Sequence, residues 1–327
     1  MLGAFRNALV IPDLRAKLLV TIGLLTVYRL LSFIPTPGID IARLKAVGFG
    51  QGDIFTLLNF VSGGNFEVFS IAALGVIPYI TASIIMQLLQ STYEPLQKLA
   101  REGEEGRKQI SQITRYGALA LAAVQALFLA IALLGNSGAL KVGWTNGPFF
   151  WLIVVITQVG GSALVMWLGE KITEFGLGNG ISLIIYAGIV ASFPGAFAQQ
   201  FALIGQGEGN LFGLIFFVGL LIVAIAGMVM VQQAERRIPV QYARKVVGRK
   251  VMGGQSTYIP LRVNSAGVIP IIFAVSILIL PATVIGAFPE VGWLQTLGNW
   301  FNSARVEGLI TSTLLIVAFT YFYTQIS

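Results

Sequence analysis

The sequence predicts an all-α polytopic membrane protein, and three observations carry that prediction. Apolar residues make up 56% of the chain and charged residues 11%, with a mean hydropathy of +0.82, whereas soluble domains carry about 25% charged residues. Apolar runs long enough to cross roughly 30 Å of hydrocarbon recur along the whole length. The string Gly75, Val76, Ile77, Pro78, with Ile80 and Ala82 after it, is spelled again at Gly267, Val268, Ile269, Pro270, Ile272 and Ala274. Matched Gly/Pro-interrupted apolar segments in two halves of a membrane protein point to a central site or pathway.

The elements follow in order. Residues 1–17 form a short amphipathic stretch suited to the membrane interface, and the apolar run behind it lacks a small-residue cleavage site, so a retained first span is expected. Plain spans lie near 18–36, 113–135, 149–169, 180–200, 211–233, 263–286 and 308–325. Between the first two, residues 54–90 are apolar at both ends but interrupted by Ser62, Gly63, Gly64, Asn65 and Glu67. Freed backbone groups and a carboxylate lack partners against lipid. The reading is a short half-helix that re-enters the membrane, about residues 55–69, then a spanning helix from about Val76 to Gln90. This makes eight spans. The Gly/Pro pairs in both copies of the repeat are expected to kink their helices.

Orientation follows from the basic residues. Of 21 lysines and arginines, only Arg43, Lys45, Lys141 and Arg305 fall on one side, with Arg29 inside the first span; the rest share the other side. By the positive-inside rule the N-terminus is cytoplasmic. The cytoplasmic loop 235–264 holds seven basic residues and one acid. Its sequences IPVQYAR and STYIPLRV alternate as a small β-hairpin does, with Gly248, Gly253 and Gly254 as turns. Such a loop is a topogenic signal, or a stiff basic finger for docking, which its length favours.

Several chemistries are excluded. The chain has no His and no Cys, which removes imidazole bases, thiolate nucleophiles, disulfides and the usual zinc or haem ligands. Gly135, Asn136, Ser137, Gly138 matches a serine-protease GxSG string without the base it requires. No Gly-Lys dipeptide exists, so there is no P-loop. No catalytic residue, metal or cofactor is expected, nor direct DNA binding. Few ionisable residues lie within spans, chiefly Arg29 and Glu67. A coupled small-solute carrier of inverted-repeat type, the main alternative, usually buries several.

Five longer strings then carry a resemblance. They are IPTPGID (34–40), SGG followed by ALGVIPYITASIIMQLL (62–89), EGEEGRKQISQITRYG (102–117), WLGEKITEFGLGNGISLII (167–185) and QSTYIPLRVNSAGVIPIIF (255–273). Together they closely resemble the bacterial SecY family of protein-conducting channels, in order and at family spacing. The resemblance implies ten spans in two inverted halves of five. Here the N-terminal half would be residues 1–205 and the C-terminal half 206–327, with spans six to eight only, because the sequence stops where span eight ends.

The resemblance also implies site residues and partners. Val76, Ile80, Ile181, Ile185 and Ile272 match an aliphatic ring that closes the pore. Ser62, Gly63, Gly64, Asn65 and Glu67 fall in the plug, whose displacement is expected to disrupt little packing. Thr81, Ser83, Gln87 and Asn264 match a polar lateral gate. Arg244, Lys245, Arg249 and Lys250 match a docking surface for the SecA ATPase or the ribosome. Implied further partners are the small subunits SecE and SecG, signal peptides, nascent polypeptides and membrane lipids, in the plasma (inner) membrane of a bacterium.

Overall fold

The computed structural model describes residues 10–46, 59, 62–134, 140–141, 143–145, 147–206, 211–240, 245–247, 250–252, 257–264, 267, 269–287, 292–301 and 305–326. Eight long helices coincide with the eight predicted spans: α1 (Pro12–Ser32), α3 (Ile77–Thr92), α5 (Glu104–Leu134), α6 (Pro148–Phe175), α7 (Gly180–Gly205), α8 (Leu211–Gln233), α9 (Ile269–Ala287) and α11 (Val306–Ile326). Shorter helices are α2 (Ile41–Ala46), α4 (Glu94–Arg101) and α10 (Gly292–Phe301).

Among the described residues, α5, α6, α7, α8 and α11 are long and apolar enough to cross a membrane by length and composition alone. The 21-residue α1 carries Asp13, Arg15, Lys17 and Arg29. The 16-residue α3 rises only about 24 Å at 1.5 Å per residue.

Helix ends follow local chemistry. Pro12 opens α1, with Asp13 in its first turn and Arg29 in its last, as the helix dipole favours. The predicted first span, 18–36, runs too far, because Phe33 and the IPTPGID stretch leave the helix. Both copies of the repeat likewise mark helix starts. Gly75 (φ 53°) and Gly267 (φ 63°) adopt left-handed conformations, and α3 and α9 begin two residues later with Pro78 and Pro270 at their second positions. The expected kink is therefore absent at both prolines. A proline in the first turn costs no hydrogen bond, since that amide has no intrahelical acceptor.

By contacts, the chain forms two compact units, one of Met1–Ala196 with Ile272–Ile316 and one of Phe197–Ile271 with Val317–Ser327. In the first, α5 packs on α6 and α3, and α1 packs on α6. Its core has one cluster around Phe66, Phe69, Ala122, Leu129, Phe150 and Val154. A second surrounds Tyr28, Val76, Val165, Leu168, Ile172 and Ile184.

The second unit contains α8, which has no buried residue, and the predicted hairpin. Strand β1 (Glu235–Val240) pairs antiparallel with β4 (Thr257–Arg262), and β2 (Lys245–Val247) with β3 (Lys250–Met252). The pairs Glu235↔Arg262 and Val247↔Lys250 share one register offset. The predicted turn residues Gly248, Gly253 and Gly254, and Arg249, lie outside the described residues.

Candidate functional site

The interrupted segment is tied by hydrogen bonds to several other elements of the first unit. Of the predicted half-helix, about 55–69, residues 59 and 62 are helical and 63–69 form turns that continue to Val76; residues 55–58, 60 and 61 lie outside the described residues. Asn59 organises its start: the backbone carbonyl accepts from the Gly64 amide (2.8 Å) and the Ser62 hydroxyl (3.1 Å), and Oδ1 accepts from the Glu67 amide (3.0 Å). Gly63 (φ 72°) lies against α7 so closely that an added Cβ would stand 2.6 Å from the Gly188 backbone. Only glycine accommodates both constraints.

Four other elements hold this segment. Tyr28 on α1 accepts a hydrogen bond from Asn65 Nδ2 (3.2 Å), and Arg29 Nη1 donates to the Gly63 carbonyl (3.2 Å). The IPTPGID stretch pairs with its far end: the Thr36 amide donates to the Phe69 carbonyl (3.0 Å) and the Ile71 amide to that of Ile34 (2.9 Å). Buried Gln158 on α6 donates from Nε2 to Thr36 Oγ1 (2.9 Å) and the Ser70 carbonyl (2.8 Å). Phe66 and Phe69 are 1% and 0% exposed.

The expectation that this segment leaves with little disruption does not hold. Undocking exposes two phenylalanines and frees several hydrogen-bonded groups. Of the residues predicted here, Ser62 and Asn65 are buried, Gly63 and Gly64 are half-buried and Glu67 is exposed.

The aliphatic residues come next. Val76 and Ile80 on α3 meet Ile181 and Ile185 on α7 in one apolar cluster, together with Tyr28 of α1 and Leu168 of α6. The loop before α7 sets its direction. Asn179 Oδ1 accepts from the Ile181 (3.0 Å) and Ser182 (3.2 Å) amides, an N-cap. Thr173 Oγ1 on α6 accepts from Gly180 (2.9 Å), and Thr21 Oγ1 on α1 accepts from Leu177 (3.1 Å). Gly169 lets the helices approach, since a Cβ there would lie 3.0 Å from Ile181. Ile272 is half-buried on α9, whose Val275 packs against the Phe66/Phe69 cluster.

The polar residues are more dispersed. Ser83 Oγ accepts from Gln87 Nε2 at 3.5 Å along the exposed face of α3, and Thr81 is buried with its hydroxyl on the Ile77 carbonyl (3.1 Å). Asn264, in the second unit, accepts the Gly267 amide at 3.0 Å. Lys245 and Lys250 open strands β2 and β3, while Arg244 and Arg249 lie outside the described residues. Nearby, Arg237 stacks 4.7 Å from the Tyr258 ring centroid.

Sequence reading missed Tyr28, Asn59, Thr36, Gln158 and Gly188. Gln158 carried a signal, an amide inside an apolar span, but only ionisable residues were weighed there. Arg115 on α5 and Glu170 on α6, 2.6 Å apart, join two of the long helices.

Comparison with known proteins now bears on this arrangement. Residues 70–327 match the SecY family model. The chain is 53% identical over 329 residues to protein translocase subunit SecY of Thermus thermophilus, covering 100% of this chain and 75% of that one. The solved structure of a protein-conducting channel aligns with TM-score 0.64 at 18% identity, over 94% of this chain and 71% of that one. Another, described as showing that the SecY plug domain stabilises the closed channel and maintains a membrane seal, aligns with TM-score 0.56 at 21% identity, over 84% and 58% of the two chains. At such identities the solved structures speak for the fold alone, and the matches in sequence speak for descent: the chain belongs to the SecY family.

Proposed function

We propose that this chain is the central channel subunit of a protein translocase, passing unfolded polypeptide across the membrane and releasing apolar segments sideways into lipid. The observation that carries the reading is a tightly docked, turn-rich segment seated beside an apolar cluster from α1, α3, α6 and α7, in a chain of this family.

Val76, Ile80, Ile181 and Ile185, joined by Ile272, act as the ring. An apolar constriction excludes ions by dewetting and offers a passing chain no polar group to hold it. The segment about 55–69, with Ser62, Gly63, Gly64, Asn65 and Glu67, is the plug. Thr81, Ser83, Gln87 and Asn264 contribute to a lateral gate. Interhelical polar contacts in membranes average about 0.6 kcal/mol, and an apolar residue at a span centre contributes roughly 0.3–0.6 kcal/mol toward insertion. A ten-residue apolar stretch is therefore enough to open a gate held by a few such contacts.

The N-terminus is cytoplasmic, on the basis of the basic loops, and the membrane is the plasma (inner) membrane, as the resemblance to the bacterial family implies. The halves 1–205 and 206–327 are the inverted repeats. SecE and SecG are the companion subunits, and the hairpin, with Arg244, Lys245, Arg249 and Lys250 at and near its tip, receives SecA or the ribosome. Drive comes from these partners.

The carrier alternative draws no support from the core: among the described residues the buried polar side chains are Thr, Ser, Asn and Gln, without a carboxylate. Bilayer conductance of the assembled complex tests the proposal. It is expected to be near silent at rest, to open around an arrested secretory chain, and to leak at rest in Ile80→Gly. Conductance indifferent to the arrested chain, with saturable flux of a small solute, overturns it.

A further inference from the structure

Ser62 is the last helical residue before the turns and Gly63 the first turn residue, and among the described hydrogen bonds neither carbonyl has a partner within the segment. Both are met from α1: Gly63 by Arg29 Nη1 at 3.2 Å, and Ser62, more loosely, by the Tyr28 hydroxyl at 3.4 Å. That same hydroxyl accepts from Asn65 Nδ2, which also donates to the Ala72 carbonyl at 3.3 Å. Two adjacent residues in the last turns of one helix thus grip both sides of the Gly63–Gly64 turn. Buried backbone polar groups require partners, and a guanidinium is a strong donor whose charge does not titrate away.

We propose that Tyr28 and Arg29 form a latch that sets how readily the 62–69 segment undocks, making α1 a positioning element for the closed state in addition to the aliphatic cluster. The proposal rests on reading that segment as the plug. Its logic is asymmetric. Phe66 and Phe69 lose their packing on leaving and fix the depth of the docked state. The two carbonyls regain water as partners once undocked, so the latch contributes a modest, tunable share of the threshold. Gly188 on α7 lies close against Gly63.

The absence of native cysteine permits a direct test in the full chain assembled with its companion subunits. Ser62 is 4% exposed, so a Ser62→Cys reporter reacts with a membrane-impermeant maleimide only after undocking. Adding Arg29→Gln is expected to raise the resting labelling rate about tenfold, equivalent to about 1.4 kcal/mol, and resting ion leak with it. Arg29→Lys, which keeps a donor and a charge, should restore most of the difference. Tyr28→Phe should fall between. Monodispersity on gel filtration checks assembly of each variant, and Arg29→Lys remains informative should Arg29→Gln fail to assemble. Labelling and leak unchanged in both Arg29→Gln and Tyr28→Phe overturn the latch. Labelling of the reporter that does not accelerate when an arrested secretory chain is engaged overturns the plug reading itself, and the latch with it.

Discussion

The two copies of the Gly-Val-Ile-Pro repeat share a backbone and differ in what feeds them. At the first, the Gly75 amide donates to the Ala72 carbonyl at 3.0 Å; at the second, the Gly267 amide donates at the same distance to the side chain of Asn264. Both glycines are left-handed and both helices start two residues on. Upstream of Gly75 lies a buried run of turns containing Phe66 and Phe69, whereas upstream of Gly267 lies an exposed hairpin. The repeat therefore encodes a helix start and nothing about how the chain arrives. Arrival through the interior gives a candidate plug, and arrival from an exposed hairpin gives a candidate docking finger. Asn264 imitates a backbone acceptor that the first copy supplies from its own turns.

Substitutions upstream of the two copies should separate most sharply. Phe66→Ala is expected to lower thermal stability in detergent by about 3–5 kcal/mol, the usual cost of emptying a buried phenylalanine site. Val263→Ala, at 65% exposure just before Asn264, should stay within about 0.5 kcal/mol. Equal losses would break the comparison.

Glycine replacements sharpen it further. Gly63→Ala meets the Gly188 backbone at 2.6 Å, while Gly267→Ala meets nothing within 4 Å. Both incur the left-handed penalty, roughly 1–2 kcal/mol, and overpacking adds about 1–3 kcal/mol to Gly63→Ala alone. Differential scanning fluorimetry of the two variants should show that gap.

Smaller effects are expected at the caps and the hairpin tip. Asn264→Ala should cost about 1 kcal/mol and Asn264→Asp almost nothing, since Asn and Asp serve equally as side-chain acceptors; a large loss in the Asp variant would mean the amide nitrogen matters elsewhere. Arg249→Glu should leave the melting temperature unchanged yet weaken SecA or ribosome binding in a titration at physiological salt, because reversing one charge of a basic loop acts on association more than on folding.

Much of this fold could be read from the chain because membrane helices announce themselves by length and apolarity. The α8 run was placed at 211–233, the residues it occupies, since α8 owes its helicity to composition rather than to neighbours. The hairpin was legible from alternation, although its register, Glu235 against Arg262, joins residues distant in sequence. The prolines were misread as kinks because proline within a helix and proline at its second position look alike until the preceding turns are known. Packing of the 62–69 segment was opaque for a different reason. Its partners, Tyr28, Gln158 and Gly188, are distant in sequence and uncharged, and glycine touching glycine leaves no trace in composition. Arg29 was noticed for its charge inside the first span, while the group it meets is a turn carbonyl.

Proximity to a translocating chain tests the account most directly. A photo-crosslinking residue at position 80, on the inner apolar cluster, and another at position 217, on the 53% exposed Phe217 face of α8, would each be placed in the assembled complex holding an arrested secretory polypeptide. An adduct to the polypeptide from position 80 and none from position 217 is the expected result. Absence of the adduct at 80, or equal yields at both positions, would contradict a polypeptide path through the apolar cluster.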